Sequence, residues 1–305
     1  MPRANRLNKK MDILLSKELA GKLSHSSKSR TLRKLNANKL AVIGVIIFAI
    51  ILILCIFAPF FTTYSSTSVD LKNRLTAPNA IHIFGTDQIG RDIWARILYG
   101  GRVSILVGLG SALGATLIGV TLGTFAGFKG GFLDAVIMKT SELFMSFPQI
   151  ILVLILVTIT GQSLWNIIFI FVLTGWPSMY RMTRSQMLSI REEEYVQALR
   201  AFGINDLIIS FKHMLPNAIG PIFVNITLST AMFILQESAL SFLGLGVPSN
   251  VATCGNVLSP AQNITILREN WWIWLPVGTF LTIFVLAINF IGDGLRDAAD
   301  PTQMG

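Results

Sequence analysis

Residues 40–61 read LAVIGVIIFAIILILCIFAPFF, 22 positions without a charge. At a rise of 1.5 Å per residue, about 20 apolar residues cross a hydrocarbon core of roughly 30 Å. The stretch therefore has the length and chemistry of a membrane-spanning helix. The chain around it agrees: 52% of the 305 residues are hydrophobic and 13% are charged, where a soluble domain carries about a quarter of its residues as charges. The expected class is an all-α polytopic membrane protein.

Working outward, five further apolar runs are predicted to span: about 103–128, 134–160 with Pro148 as a kink, 164–182 with Pro177 late in it, 218–235, and 271–291. Six spans place both termini on one side of the membrane. Eleven of the 25 Lys and Arg residues precede the first span. With the loop residues assigned by alternation, 19 basic residues lie on the side of the termini and six on the other. The positive-inside rule makes the first side, and both termini, cytoplasmic. The domain reading follows: a basic arm over 1–39, a first transmembrane anchor over 40–61, an extracytoplasmic segment over 62–99, and a core over 100–305. The arm lacks the apolar stretch and cleavage site of a signal peptide. It reads either as a disordered, topology-fixing tail or as an interfacial helix built on Met11, Leu14, Leu15, Leu19 and Leu23. Residues 236–270 mix apolar positions with Gly, Pro and Asn, which predicts a re-entrant or surface-lying loop rather than another span.

In the second run, Gly119, Gly123 and Gly127 recur every fourth residue, and Gly110 and Gly114 share that spacing. Such glycines make a smooth ridge against which a second helix packs closely.

Few residues carry chemistry. The three histidines are scattered, the two cysteines (Cys55 and Cys254) have no metal-ligand spacing, and no Gly-x-x-x-x-Gly-Lys-Ser/Thr phosphate loop is present. No cofactor or metal is expected on this chain, and the basic residues are not spread like a nucleic-acid face. Asp87 and Asp92, beside Arg91, read as loop-fixing ion pairs. Glu237 ends the fifth run, where a carboxylate either lines a path through the membrane or caps a helix at the interface.

One polar island interrupts the apolar sequence on the cytoplasmic side: residues 192–217, EEEYVQALRAFGINDLIISFKHMLPN. Ala198, Leu199 and Ala201 favour a helix from Glu192 to Phe202, and Gly203 is placed to end it in the left-handed conformation. Asn205 or Asp206 is placed to cap a second helix, which Pro216 ends or bends. Tyr195, Leu199 and Phe202 are spaced as one apolar stripe. The island is either a hairpin packed on its own membrane helices or a knob for a partner's groove.

Its motif resembles the EAA loop of ABC-importer permeases: Gln197-Ala198-Leu199, then Gly203, then His213-Met214-Leu215-Pro216. It departs from that pattern at Gln197 and Leu199. Glu194-Tyr195-Val196 and the Lys212-to-Asn217 ending resemble the peptide/nickel (dipeptide/oligopeptide) subgroup. The segments His82–Asp87, Gly90–Asp92, Arg96–Ser104, Ser241–Gly246, Gly292–Asp297 and Asp300-Pro301 are similar to that subgroup's C-type inner-membrane subunit, with Cys254 where the family usually has Trp. The resemblance implies a type I ABC importer permease fold in a bacterial-type plasma membrane. It also implies a homologous second permease, two ATPase subunits holding ATP and Mg, and an extracytoplasmic solute-binding protein as partners. Glu194, Gln197, Ala198, Leu199, Gly203, His213, Leu215 and Pro216 would then couple the spans to the ATPases. The chain itself would not be an enzyme. The implied cargo is short peptides, with nickel or another small solute as the alternative; a membrane enzyme or an anchor is the distant one.

Overall fold

A computed structural model describes residues 38–299; the basic arm and the Asp300-Pro301 motif lie outside the described residues. The described residues are mostly helical outside the irregular segment 62–92, which carries an isolated β-bridge between Thr86 and Asp92. The first run forms α1 (Lys39–Ile56) and a short α2 (Ala58–Phe61). Asn38 caps α1, its side-chain oxygen accepting from the amides of Leu40 and Ala41, as a helix start requires.

α3 (Ile93–Lys129) is a 37-residue helix. It begins inside the segment expected to be extramembrane, because Asp92 caps it there by accepting from the Ala95 amide at 2.7 Å. The Asp92 carboxylate also holds His82 Nδ1 at 2.9 Å. Asp87 receives the Arg91 amide and its Nε at 2.9 and 2.7 Å, and the buried Arg96 lies 3.5 Å away. These two carboxylates fix the turn that leads into α3.

The expected third run with its kink at Pro148 is split into two helices, α4 (Gly131–Met145) and α5 (Gln149–Thr160). They are bent by 87° at residues 146–148, where Pro148 cannot donate to the preceding turn. α6 (Leu164–Arg191) follows a short turn and α7 (Glu194–Ala201) lies in the polar island. α8 is a continuous helical run over Asp206–Phe242. Of the two expectations for the second island helix, that Pro216 ends it or bends it, the first is corrected: the helix continues into the next run. A π turn over Ile209–Met214 passes into a 3₁₀ turn over Leu215–Ala218, which absorbs the missing proline N–H without a break. The short α9 (Cys254–Leu258) and α10 (Ile264–Glu269) form the mixed region, before α11 (Trp271–Ala299).

Among the described residues, α1, α3, α8 and α11 are long and apolar enough to cross a membrane, and α4 with α5 makes a fifth candidate. α6 is long enough, but its second half carries Arg181, Arg184 and Arg191, so the expected count of six is not reproduced on composition.

The glycine ridge decides how the centre packs. A Cβ on Gly119, Gly123 or Gly127 would come within 2.6–2.8 Å of the Cβ of Met179, Thr183 or Met187. Both helices advance together along these pairs, so α3 and α6 run parallel with their backbones in contact. Close approach of this kind is what a four-residue small-side-chain repeat provides.

Candidate functional site

The polar island has two faces. Val196 of α7 is fully buried with Phe128, Met187, Ile209 and Met214, and Leu199 packs against the same cluster. The other face is open: Phe202 is 82% exposed, and Leu207, Ile208 and Phe211 are exposed beside it. The expected stripe of Tyr195, Leu199 and Phe202 is therefore corrected. Leu199 turns inward, and the Tyr195 hydroxyl accepts from Asn217 Nδ2 at 2.8 Å. Packing on the chain's own helices and exposed apolar residues occur together, the first on the inner face of α7 and the second at its end and on the first turns of α8.

The turn after α7 follows from its glycine. The Gly203 amide donates to Arg200 O at 2.9 Å and the Ile204 amide to Leu199 O at 3.2 Å, the paired bonds of a Schellman cap. Gly203 has φ +71° and open space where a Cβ would stand, so its constraint is conformational, not steric. Asn205 then caps α8, accepting from the Leu207 amide at 2.8 Å. Glu194, Gln197 and Ala198 lie on the exposed face of α7, with Gln197 Nε2 donating to Glu192 O at 3.2 Å. Pro216 is exposed, and His213 and Leu215 are half-buried at the base.

Behind the island lies an ion pair that sequence reading missed. Arg184 of α6 donates through Nε and Nη2 to the two carboxylate oxygens of Asp134 on α4, at 2.5 and 2.6 Å. The Tyr180 hydroxyl donates to the same carboxylate at 3.2 Å. A signal was present: Asp134 and Arg184 are charges at the same-side ends of two runs joined by a short turn.

A second feature is a cleft of about 390 Å³ between the α4–α5 break, α6 and α8. Its wall is aromatic (Phe144, Phe147), hydroxylic (Ser178, Ser229) and carboxamide (Gln149, Asn225). Glu237 is not part of it, nor does it cap a helix end. It is 0% exposed inside α8, where Ser104 Oγ and Ser241 Oγ donate to its two oxygens at 3.1 and 2.7 Å. Ser104 Oγ also accepts from the Cys254 amide at 3.3 Å. The carboxylate thus ties α3, α8 and α9 together.

The parallel α3–α6 pair, the broken α4–α5 pair and α8 thus form a helical membrane-protein fold around a cleft. The fold is shared with the MetNI methionine ABC transporter in inward-facing conformations, at a TM-score of 0.53 and 20% identity over 67% of this chain and 96% of that one. The chain belongs to the family of binding-protein-dependent transport system inner membrane components, which matches residues 119–304. Residues 28–78 match the N-terminal TM domain of oligopeptide transport permease C. It is similar to the dipeptide transport system permease protein DppC of Alkalihalophilus pseudofirmus (40% identical over 269 residues, 88% of each chain). It is also similar to the oligopeptide transport system permease protein OppC of Bacillus subtilis (38% over 268 residues, 88% of this chain and 87% of that one). A putative peptide permease protein of Brucella suis is 40% identical over 273 residues, 90% of each chain. The chain is thus a multi-pass membrane permease component.

Proposed function

We propose that this chain forms half of the translocation path for short peptides in an ATP-driven importer. A homologous permease supplies the other half, two ATPase subunits bind ATP and Mg, and an extracytoplasmic solute-binding protein delivers the cargo. The names of the relatives support the cargo, and the uncharged, carboxamide-bearing wall of the cleft supports a solute whose polar groups are amides. The single observation that carries the ATPase contact is the exposed Phe202–Leu207–Ile208–Phe211 face on a rigidly based loop. A contiguous apolar patch rimmed by charges marks a protein interface. Glu194, Gln197, Ala198 and Gly203 present that face, and His213, Leu215 and Pro216 anchor it. Closure of the ATPases then moves the loop, and with it the parallel α3–α6 pair, between two arrangements of the spans.

In this reading α6 is the sixth span, the arm and both termini are cytoplasmic, and residues 62–92 face outward with the start of α3. Tryptophan placement supports it. Trp94, Trp165, Trp271, Trp272 and Trp274 all stand near the starts of α3, α6 and α11, and Trp272 Nε1 donates to Thr86 O of the outer turn at 3.4 Å. Tryptophans gather at a membrane–water interface.

The test is reconstitution of the complex co-purified with this chain, followed by ATP-driven uptake of labelled di- to pentapeptides and of nickel in parallel. Peptide uptake that depends on ATP and on the binding protein is the expected result. Uptake of nickel alone would move the assignment to the metal branch.

A further inference from the structure

We propose that Gln149 and Gln236 form a carboxamide gate that closes the outward end of the cleft and opens to the amide groups of a passing peptide; the proposal rests on the peptide-path reading above. Gln236 Nε2 donates to Gln149 Oε1 at 3.1 Å, joining residues 87 positions apart. Gln149 Nε2 in turn reaches Thr174 Oγ1 at 3.4 Å. Three helices, α5, α6 and α8, therefore meet at one carboxamide.

Its place follows from the helix stripes. On α8 the cleft is lined by Asn225, Ser229 and Met232, and Gln236 is the next residue of that helical face. On α6, Thr174 is the cleft residue nearest the 161–163 turn. The end of α8 meets that same turn, since Gln162 Nε2 donates to Gly244 O at 2.8 Å. On α6 and α8 the bridge thus stands at the end of the cleft that faces the turn, with Leu152 of α5 lining the wall just beyond Gln149.

Two further observations make the bridge a moving part. Gln149 is the first residue after the 87° break at residues 146–148, so the bridge pins that joint to α8, and a change of angle there re-aims the Gln149 side chain. Gln236 Oε1 is buried and has no partner among the described residues. A buried amide acceptor left unpaired costs free energy, which disfavours this closed arrangement. An amide N–H entering from the cleft would meet it. Carboxamides suit this exchange because each both donates and accepts, so a peptide group replaces the partner lost on opening.

The test uses the importer purified with its partner subunits and carrying Gln149→Cys with Gln236→Cys; the native Cys55 and Cys254 are buried. A short bis-thiosulfonate should link the pair in the nucleotide-free complex, with the yield falling when the complex is trapped with ATP and vanadate. Linking should abolish ATP-driven peptide uptake, and a thiol reductant should restore it. Equal yield in both states, or full uptake through the linked complex, would overturn the gate. State-dependent linking in a complex that imports no peptide would uphold the gate and sink the peptide reading instead. Should the double variant fail to assemble, Gln236→Asn shortens the bridge while keeping a carboxamide. It should raise peptide-independent ATP hydrolysis, and unchanged basal hydrolysis would count against the gate.

Discussion

Arg184 holds Asp134 through two parallel nitrogen–oxygen contacts of 2.5 and 2.6 Å, clamping α4, the first half of the broken span, to α6. The clamp lies on the turn of α6 whose backbone meets Gly123 and Gly127. Bidentate pairs of this kind fix orientation as well as adding energy. Replacing Asp134 by Asn keeps the shape and removes the charge. We expect a loss of about 2 kcal/mol in stability, read as a lowered unfolding temperature of the detergent-purified chain. Arg184→Lys, which lacks the planar fork, should not preserve the wild-type midpoint.

Gly203 separates conformational from steric demands. With φ +71° and open space beyond its Cα, a β-branched residue there meets no neighbour but strains the backbone by about 1–2 kcal/mol. Gly203→Val should leave assembly largely intact while abolishing substrate-stimulated ATP hydrolysis. Gly203→Asn, which tolerates the left-handed region, should retain it. Equal activity in both variants would argue against a coupling role for the turn.

Gly123→Leu has the opposite logic. Its Cβ would stand 2.8 Å from both Thr183 Cβ and Tyr180 O, so α3 and α6 must separate. Overpacking of this kind costs about 1–3 kcal/mol or more, and the expected result is loss of the protein from the membrane fraction. Normal abundance would show that the ridge is not a packing surface.

Phe202→Ser removes an exposed aromatic and nothing from the core. The chain should be as stable as wild type yet recover less ATPase in co-purification. Retention of a full ATPase complement would remove Phe202 from the interface.

Glu237 offers a stability test. Gln keeps an acceptor for Ser104 or Ser241, whereas Leu leaves both buried hydroxyls without their acceptor, a cost of about 1–3 kcal/mol per orphaned group. Glu237→Leu should therefore unfold at a lower temperature than Glu237→Gln, with peptide uptake following stability and not charge.

Much of this architecture is written locally in the chain. Uncharged runs mark spans because lipid tolerates little else, and the spacing of Gly119, Gly123 and Gly127 marks a close helix contact without naming α6 as its partner. Gly203 was legible because a single residue decides a left-handed turn. Pro216 marked a distortion but left open whether the helix ends there; a π turn followed by a 3₁₀ turn carries the helix through it, and that exchange depends on the packing of Ile209 and Met214 against α7 and α3. Glu237 was read at a helix end because the run's hydropathy fades there, while its hydroxyl partners lie as far as 133 residues away. The Asp134–Arg184 clamp and the Gln149–Gln236 bridge are also pairings across helices; opposite charges at neighbouring run ends hinted at the first, and nothing in the sequence pairs the two glutamines.

α3 has a mechanical consequence. A helix of 37 residues is about 55 Å long, well beyond the roughly 30 Å of hydrocarbon. One unbroken rod thus carries the turn at Asp92 on one end and Phe128, the floor beneath Val196, at the other. Torque applied at either tip reaches the other without crossing a joint, so the Asp92 turn and the floor of the polar island share a single axle.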